Sequence, residues 1–250
     1  MSFQTADKLA KREMLQTGIK PLDSLLGGGL EMGLTYLLYG SRTIRECLHR
    51  IAVHAQLPPE KGGMNTSSIL IDSENMLSIE TLTHWSFEYG LEPETVMDNI
   101  FVSRAFNSSQ TYDVVMHQLD SFFERVPTRL LLLPGLADIY YGEGVKAEGK
   151  QHMTHMAHRL MTFTLKHNIV AIITGSSSQR YRYNPQAGHG LKHSAQVHVY
   201  VEETKDRLIF NLIKHPQYPL RKEQEDKPNR KMMAATHPLS FFLDDLEEKE

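Results

Sequence analysis

The chain has a single cysteine, Cys47, among its 250 residues. An internal disulfide and a multi-cysteine zinc site are thereby excluded, and such usage fits a reducing, intracellular setting. No apolar run approaches the ~20 residues that a membrane-spanning helix needs, so no membrane partner is expected. The opening stretch MSFQTADKLAKRE lacks the apolar core of a signal peptide, and none is expected. A dominant charge is missing as well. The formal net charge is −3, so the molecule as a whole does not attract nucleic acid, and any such contact has to come from a local patch. Against these absences stands an ordinary globular composition. Hydrophobic residues make up 40% and charged residues 23%, which argues against disorder over the whole length. The length suits one α/β domain with a full core.

The patterning gives a succession of elements. A helical stretch is expected at 5–14. Leu22, Leu25 and Leu26 then mark a short helix that runs into Gly27-Gly28-Gly29. Leu34 to Tyr39 reads as a buried strand ended by Gly40. Beyond it, Ile44, Cys47, Leu48, Ile51, Ala52 and Ala55 recur at helical spacing and predict one buried helix face. SILID (68–72) reads as a strand, 78–90 as a helix, NIFVSRAF (99–106) as a strand and 109–125 as a helix. RLLLLPG is a buried strand stopped by Pro134. A glycine-bearing loop leads to a helix at about 150–167, and IVAIITG is a further buried strand. After a polar loop at 175–192, the segments 195–202 and 207–214 read as an antiparallel strand pair. The division expected is an N-terminal anchor or linker at 1–16, a core domain at 17–220 and a charged tail at 221–250.

Apolar strands that alternate with amphipathic helices predict a mostly parallel sheet covered on both faces. Ligands of such folds bind at the C-terminal ends of the strands. Gly40, Glu74, Pro134 and Gly175 all fall at such ends.

The order of motifs is specific. TGIKPLDSLLGGGLEMG, HAQLP followed by ILIDSEN, DNIFVSRAF, and AGHGLKHSAQVHVYV resemble successive signatures of the RecA/RadA recombinase family. The likeness covers roughly residues 3–220 and is nearest to short, RadB-type paralogues related to the eukaryotic strand-exchange proteins. The resemblance implies a RecA-like P-loop NTPase core with a C-terminal antiparallel strand pair. It also implies a place in homologous recombination and DNA repair, in the cytoplasm of an archaeon or the nucleus of a eukaryote.

The catalytic parts that the family would supply are mostly missing. Its phosphate loop, G-x-x-x-x-G-K-[ST], cradles phosphates with backbone N–H groups, a lysine and a metal-holding hydroxyl. Here the segment reads Gly40-Ser41-Arg42-Thr43-Ile44-Arg45. Gly40 remains, while Arg42 and Arg45 supply charge without the glycine loop. Pro134 stands where the family places a metal-binding aspartate, with Asp138 four residues on. Ile173-Thr174-Gly175-Ser176 stands where the family ends in a phosphate-sensing glutamine. Glu74 alone matches, at the place of the glutamate that orients the attacking water. No catalytic residue, cofactor or metal is therefore expected, and the site is read as vestigial: Gly40, Arg42, Arg45, Glu74 and Pro134.

Two other features bear on partners. Phe3 and Ala6 match the Phe-x-x-Ala segment with which the family plugs a neighbouring subunit. That implies docking to a RadA-type recombinase or another paralogue, by a buried aromatic anchor. The loop 175–192 carries Arg180, Tyr181, Arg182 and Tyr183, followed by His189 and Lys192. Cations for phosphate interleaved with rings for stacking suit single-stranded DNA, and Arg180, Tyr181, Arg182, Tyr183 and Lys192 are its candidate contacts. The family's first DNA loop corresponds to Tyr140–Lys150, where Lys146 and Lys150 are offset by Glu143 and Glu148. His152, His155 and His158 drift across one helix face and read as a polar face, not a metal site. The expectation is a non-catalytic accessory paralogue. The alternatives are an ATP-dependent recombinase with Mg²⁺ and an atypical loop, and a pure protein scaffold.

Overall fold

The computed structural model describes residues 13–178 and 180–227. At its start two short strands, β1 (Met14–Leu15) and β2 (Leu30–Glu31), pair antiparallel around α1 (Lys20–Leu25). Thr17 donates both its amide and its hydroxyl to Asp23 Oδ1, at 2.7 and 2.8 Å. These two bonds close the turn into α1. The main sheet follows: β3 (Thr35–Gly40), β4 (Ser68–Asp72), β5 (Ile100–Arg104), β6 (Leu130–Leu133), β7 (Val170–Gly175), β8 (Val197–Glu203), β9 (Arg207–Lys214) and β10 (Arg221–Asp226). Its order is β10-β9-β8-β3-β7-β6-β4-β5. The six strands from β8 to β5 run parallel, and β9 and β10 are added antiparallel.

The helices are α2 (Ile44–His54), α3 (Ile79–Glu88), α4 (Pro93–Asp98), α5 (Ser108–Asp113), α6 (Leu119–Arg125), α7 (Asp138–Gly142), α8 (Ala147–His167) and α9 (Gly188–Ser194). They divide between the two faces of the sheet. Tyr36, Leu38, Leu130, Leu132, Val170 and Ile172 point into a core shared with α1 to α4. Their neighbours Leu37, Tyr39, Leu131, Leu133, Ala171 and Ile173 point into a second core closed by α6 to α9. Successive residues of a strand face opposite ways, so a strand covered on both sides must be apolar throughout. All six residues expected on the buried face of α2 are buried, from Ile44 to Ala55.

The mostly parallel, helix-flanked sheet is the architecture expected, and the antiparallel pair at 197–214 is present. Several local expectations are revised. The helix expected at 109–125 is two helices, α5 and α6, joined by a π-helical turn at Val114–Gln118. The loops at 135–149 and 175–192 contain α7 and α9, and α4 follows the 78–90 helix. Residues 221–226, read as tail, form β10 on the outer side of β9. The helix expected at 5–14 falls mostly outside the described residues, and Met14 belongs to β1.

Candidate functional site

The C-terminal ends of β3, β4, β6, β7 and β8 converge on one side of the sheet. From β3 the chain passes through Gly40 into a tight turn before α2. Gly40 has φ +122°, and a Cβ there would overlap the Val201 carbonyl, so the glycine is required by close approach to β8. The Ser41 amide donates to that same carbonyl at 2.9 Å. The Thr43 amide donates to Ser41 Oγ, the Ile44 amide to the Ser41 carbonyl and the Arg45 amide to the Arg42 carbonyl. Four N–H groups of the loop are therefore spent within the chain. Ser41 Oγ and Thr43 Oγ1 both donate to Glu203 Oε2, the former at 2.7 Å, and Lys227 Nζ donates to Glu203 Oε1. These three donors, Lys227 first, hold the Glu203 carboxyl down at about 2.

Glu74 is placed by a neighbour that sequence reasoning did not single out. Buried Asp72, the last residue of β4, accepts the amides of Glu74, Met76 and Leu77 at 3.2, 3.0 and 3.3 Å and so winds the chain into a turn. The turn aims Glu74 at Arg45, whose Nε lies 3.2 Å from Glu74 Oε2. Glu74 also passes over Gly135, where a Cβ would overlap Glu74 Cγ. Pro134 follows β6 directly, as the sequence dictates. Asp138, on α7, faces the end of β7 and accepts from the Ser176 amide at 3.0 Å and from Ser176 Oγ at 3.1 Å. Burial raises its carboxyl above the usual range, against the lowering by Ser176 and Arg45.

This constellation does not match what a magnesium nucleotide requires. A phosphate cradle needs free amides, an ammonium group and a hydroxyl turned to the metal. Here the amides and hydroxyls are engaged internally, a carboxylate lies against the loop, and Arg45 is committed to Glu74. Arg42 is exposed. Among the described residues no three histidine, cysteine or carboxylate side chains are grouped to hold a metal. His152 stacks on Tyr112 with ring centroids 3.9 Å apart, His155 Nδ1 lies 3.3 Å from Tyr112 Oη, and His158 Nδ1 lies 3.2 Å from Thr162 Oγ1.

Residues 176–178 and 180–187 form the two arms and tip of a small hairpin. Ser178 N donates to the Asn184 carbonyl at 2.7 Å, Gln186 N to the Ser176 carbonyl at 2.8 Å, and Ser177 pairs antiparallel with Pro185. Its tip displays Tyr181 and Tyr183, both more than half exposed. Arg180 lies over the Tyr181 ring, 5.4 Å from its centroid. Arg182 folds back onto the sheet, paired with Glu202 and donating to Tyr200 Oη at 3.2 Å. Lys192, on α9, donates to Asn184 Oδ1 at 2.8 Å. The hairpin thus brings the four Arg-Tyr candidates together, while Arg182 and Lys192, two of the five expected DNA contacts, already have partners within the chain. Lys146 and Lys150 flank the start of α8. Phe3 and Ala6, the expected partner anchor, lie outside the described residues.

A phosphate-loop-like turn at the end of the central parallel strand β3, a glutamate just past the end of β4 in the same sheet and a two-layer helical cover define a RecA-like protein. Residues 10–225 match the Rad51 family, and the chain belongs to it. Among similar proteins is a DNA repair and recombination protein RadA from Metallosphaera sedula. It is 27% identical over 235 residues, which cover 87% of this chain and 72% of the relative. No helix among the described residues is long and apolar enough to cross a membrane.

Proposed function

We propose that this chain is a non-catalytic, accessory member of the Rad51 family that serves DNA recombination and repair inside the cell. In this reading it does not use ATP or Mg²⁺. It binds a RadA-type recombinase or another paralogue, and it contacts single-stranded DNA through the 176–187 hairpin. The observation that carries the reading is the loop at 40–45, where the amides of Ser41, Thr43, Ile44 and Arg45 and both hydroxyls are committed to the chain itself while Glu203 brings a negative charge against it. Removing phosphate grip and metal together leaves Glu74 nothing to act on. A protein partner is supported by the edge of the sheet at β5, unpaired on its outer side among the described residues, where Phe101, Val102 and Phe106 are exposed. A hydrophobic edge of this kind invites another chain.

Calorimetric titration of the full chain with a non-hydrolysable ATP analogue and Mg²⁺ tests the central claim. No binding heat is expected at micromolar concentrations. Micromolar affinity that disappears in Glu74→Ala would overturn it in favour of an ATP-dependent recombinase with an atypical loop. One observation favours a second reading, that of a pure scaffold without DNA: Arg182 and Lys192 already have partners within the chain. Anisotropy of a labelled oligo-dT separates the two.

A further inference from the structure

The 176–187 hairpin is joined to the rest of the molecule at several independent points. At its root, Ser176 gives both its amide and its hydroxyl to Asp138 across the ends of β6 and β7. At its waist, Tyr39 Oη donates to the Tyr183 carbonyl at 2.7 Å from the end of β3. On its far arm, Lys192 holds Asn184. α9, which follows the hairpin, is itself fixed at its C-terminal end. There Lys214 Nζ donates to the carbonyls of Lys192, His193 and Ala195 at 3.1, 3.2 and 2.7 Å. An ammonium at the open carbonyls of a helix end satisfies acceptors that have no partner within the helix.

Of these ties, the one at Asp138 acts at the root, where a half-buried carboxylate takes two donors from one hairpin residue. Tyr39 and Lys192 each give the hairpin one hydrogen bond further out, and Lys214 holds α9 rather than the hairpin. Hydrogen bonds to an ionised group are about twice as strong as neutral ones. Asp138 also sits beside the Arg45–Glu74 pair, and Arg45 contributes to its electrostatic surroundings. We propose that Asp138 is a positioning residue whose carboxylate fixes the root of the hairpin, so that its shape is set by the chain's own bonds at the strand ends. The tip then meets its partner already formed and without an ordering cost. The link between this hairpin and DNA rests on the function proposed above, whereas the fixing of the hairpin does not.

Hydrogen exchange of the full chain decides. In the parent, the amides of Ser176, Ser178, Asn184 and Gln186 exchange slowly, and adding Mg²⁺ with an ATP analogue changes nothing. In Asp138→Ala the same amides exchange about tenfold faster or more, the scale of losing a hydrogen bond to a charged group, while β7, α8 and the melting temperature hold. Asp138→Asn, which keeps one acceptor, gives an intermediate rate. The parent's exchange, corrected for intrinsic chemistry, accelerates as acid protonates the raised Asp138 carboxyl, and Asp138→Asn lacks this profile. Two results would overturn the proposal. One is parent-like hairpin exchange in Asp138→Ala. The other is a parent hairpin that becomes protected only with the nucleotide. Should the alanine variant fail to fold, the presence or absence of the acid profile in the asparagine variant decides alone. Oligo-dT anisotropy on the same variants keeps the two readings apart. Faster hairpin exchange with unchanged DNA affinity leaves Asp138 in its role and removes the hairpin as the DNA contact.

Discussion

At the scale of single residues, the hairpin separates two arginines that look equivalent in the sequence. Arg182 is paired with Glu202 and bonded to Tyr200, whereas no carboxylate pairs with Arg180 among the described residues. A phosphate competing for Arg182 must first displace Glu202, so little net charge is gained there. If the hairpin binds single-stranded DNA, Arg180→Ala should flatten the dependence of log K on log salt by about one unit. Arg182→Ala should change it by clearly less. Tyr181→Ala should cost ~1–3 kcal/mol per stacked base, nearly independent of salt. Anisotropy at two salt concentrations reads all three, and equal slopes for the two arginine variants would contradict the pairing as drawn. The Arg-Tyr cluster, Gly40, Glu74 and Pro134 are visible in the sequence because each lies within a recognisable run. Glu203 is not, since it meets Thr43 from 160 positions away and no spacing rule connects them. Asp72 and Asp138 were within view as residues, but their acceptor roles depend on turns that only the folded chain makes.

At the scale of elements, the two edges of the sheet are built in opposite ways. β10 is Arg-Lys-Glu-Gln-Glu-Asp, a charged strip that covers β9 and discourages further pairing. Its register is held by side chains: Arg221 donates to the Leu25 carbonyl at 2.7 Å, and Arg50 lies 3.9 Å from Glu225. A strand stabilised in this manner carries no apolar alternation, which is why the sequence reads there as tail. The central strands and α2 are legible for the converse reason, because burial on two faces or on one stripe forces a hydrophobic period. α9 escapes notice because it is short and rests on α8 through glycines, with Gly190 against Thr154. The opposite edge, β5, pairs with no further strand among the described residues, with Phe106 76% exposed and Phe101 42% exposed beside it. Truncating an exposed phenylalanine removes little intramolecular packing. Phe101→Ser with Phe106→Ser should therefore leave the melting temperature almost unmoved. If a RadA-type partner docks on this edge, the same change should weaken its capture by roughly 2 kcal/mol or more, the hot-spot scale. Unchanged pull-down of the partner would assign the edge no role in assembly.

At the scale of the whole molecule, buried titratable groups set how the fold responds to acid, and they act in opposite directions. Desolvation lowers His49, His54 and His198, the last to about 4 with Lys214 adding to the effect. The unfolded chain takes up protons on these imidazoles near 6.5, before the folded chain does. Their contribution to stability is thus full above 6.5 and is lost as pH falls toward 4. Asp23 opposes this, because burial raises its carboxyl to about 6. The folded state then binds its proton first, and acidification from 6 toward 3.8 favours the fold. Glu203, held at about 2 by Lys227, Thr43 and Ser41, begins to lose its contribution only below 4.5. Asp138 and Glu225, raised by burial, act in the same direction as Asp23 and against the histidines. His198 alone, with 6% of its surface exposed, accounts for about 2 kcal/mol by pH 5. In a chain of this length that is a drop of several degrees in melting temperature. His198→Gln keeps a polar side chain without the titration. Its melting temperature should fall less between pH 7 and pH 5 than the parent's, whatever its value at pH 7. A variant that falls as steeply as the parent would place the acid-sensitive proton uptake away from His198, with His49 and His54 on α2 the candidates.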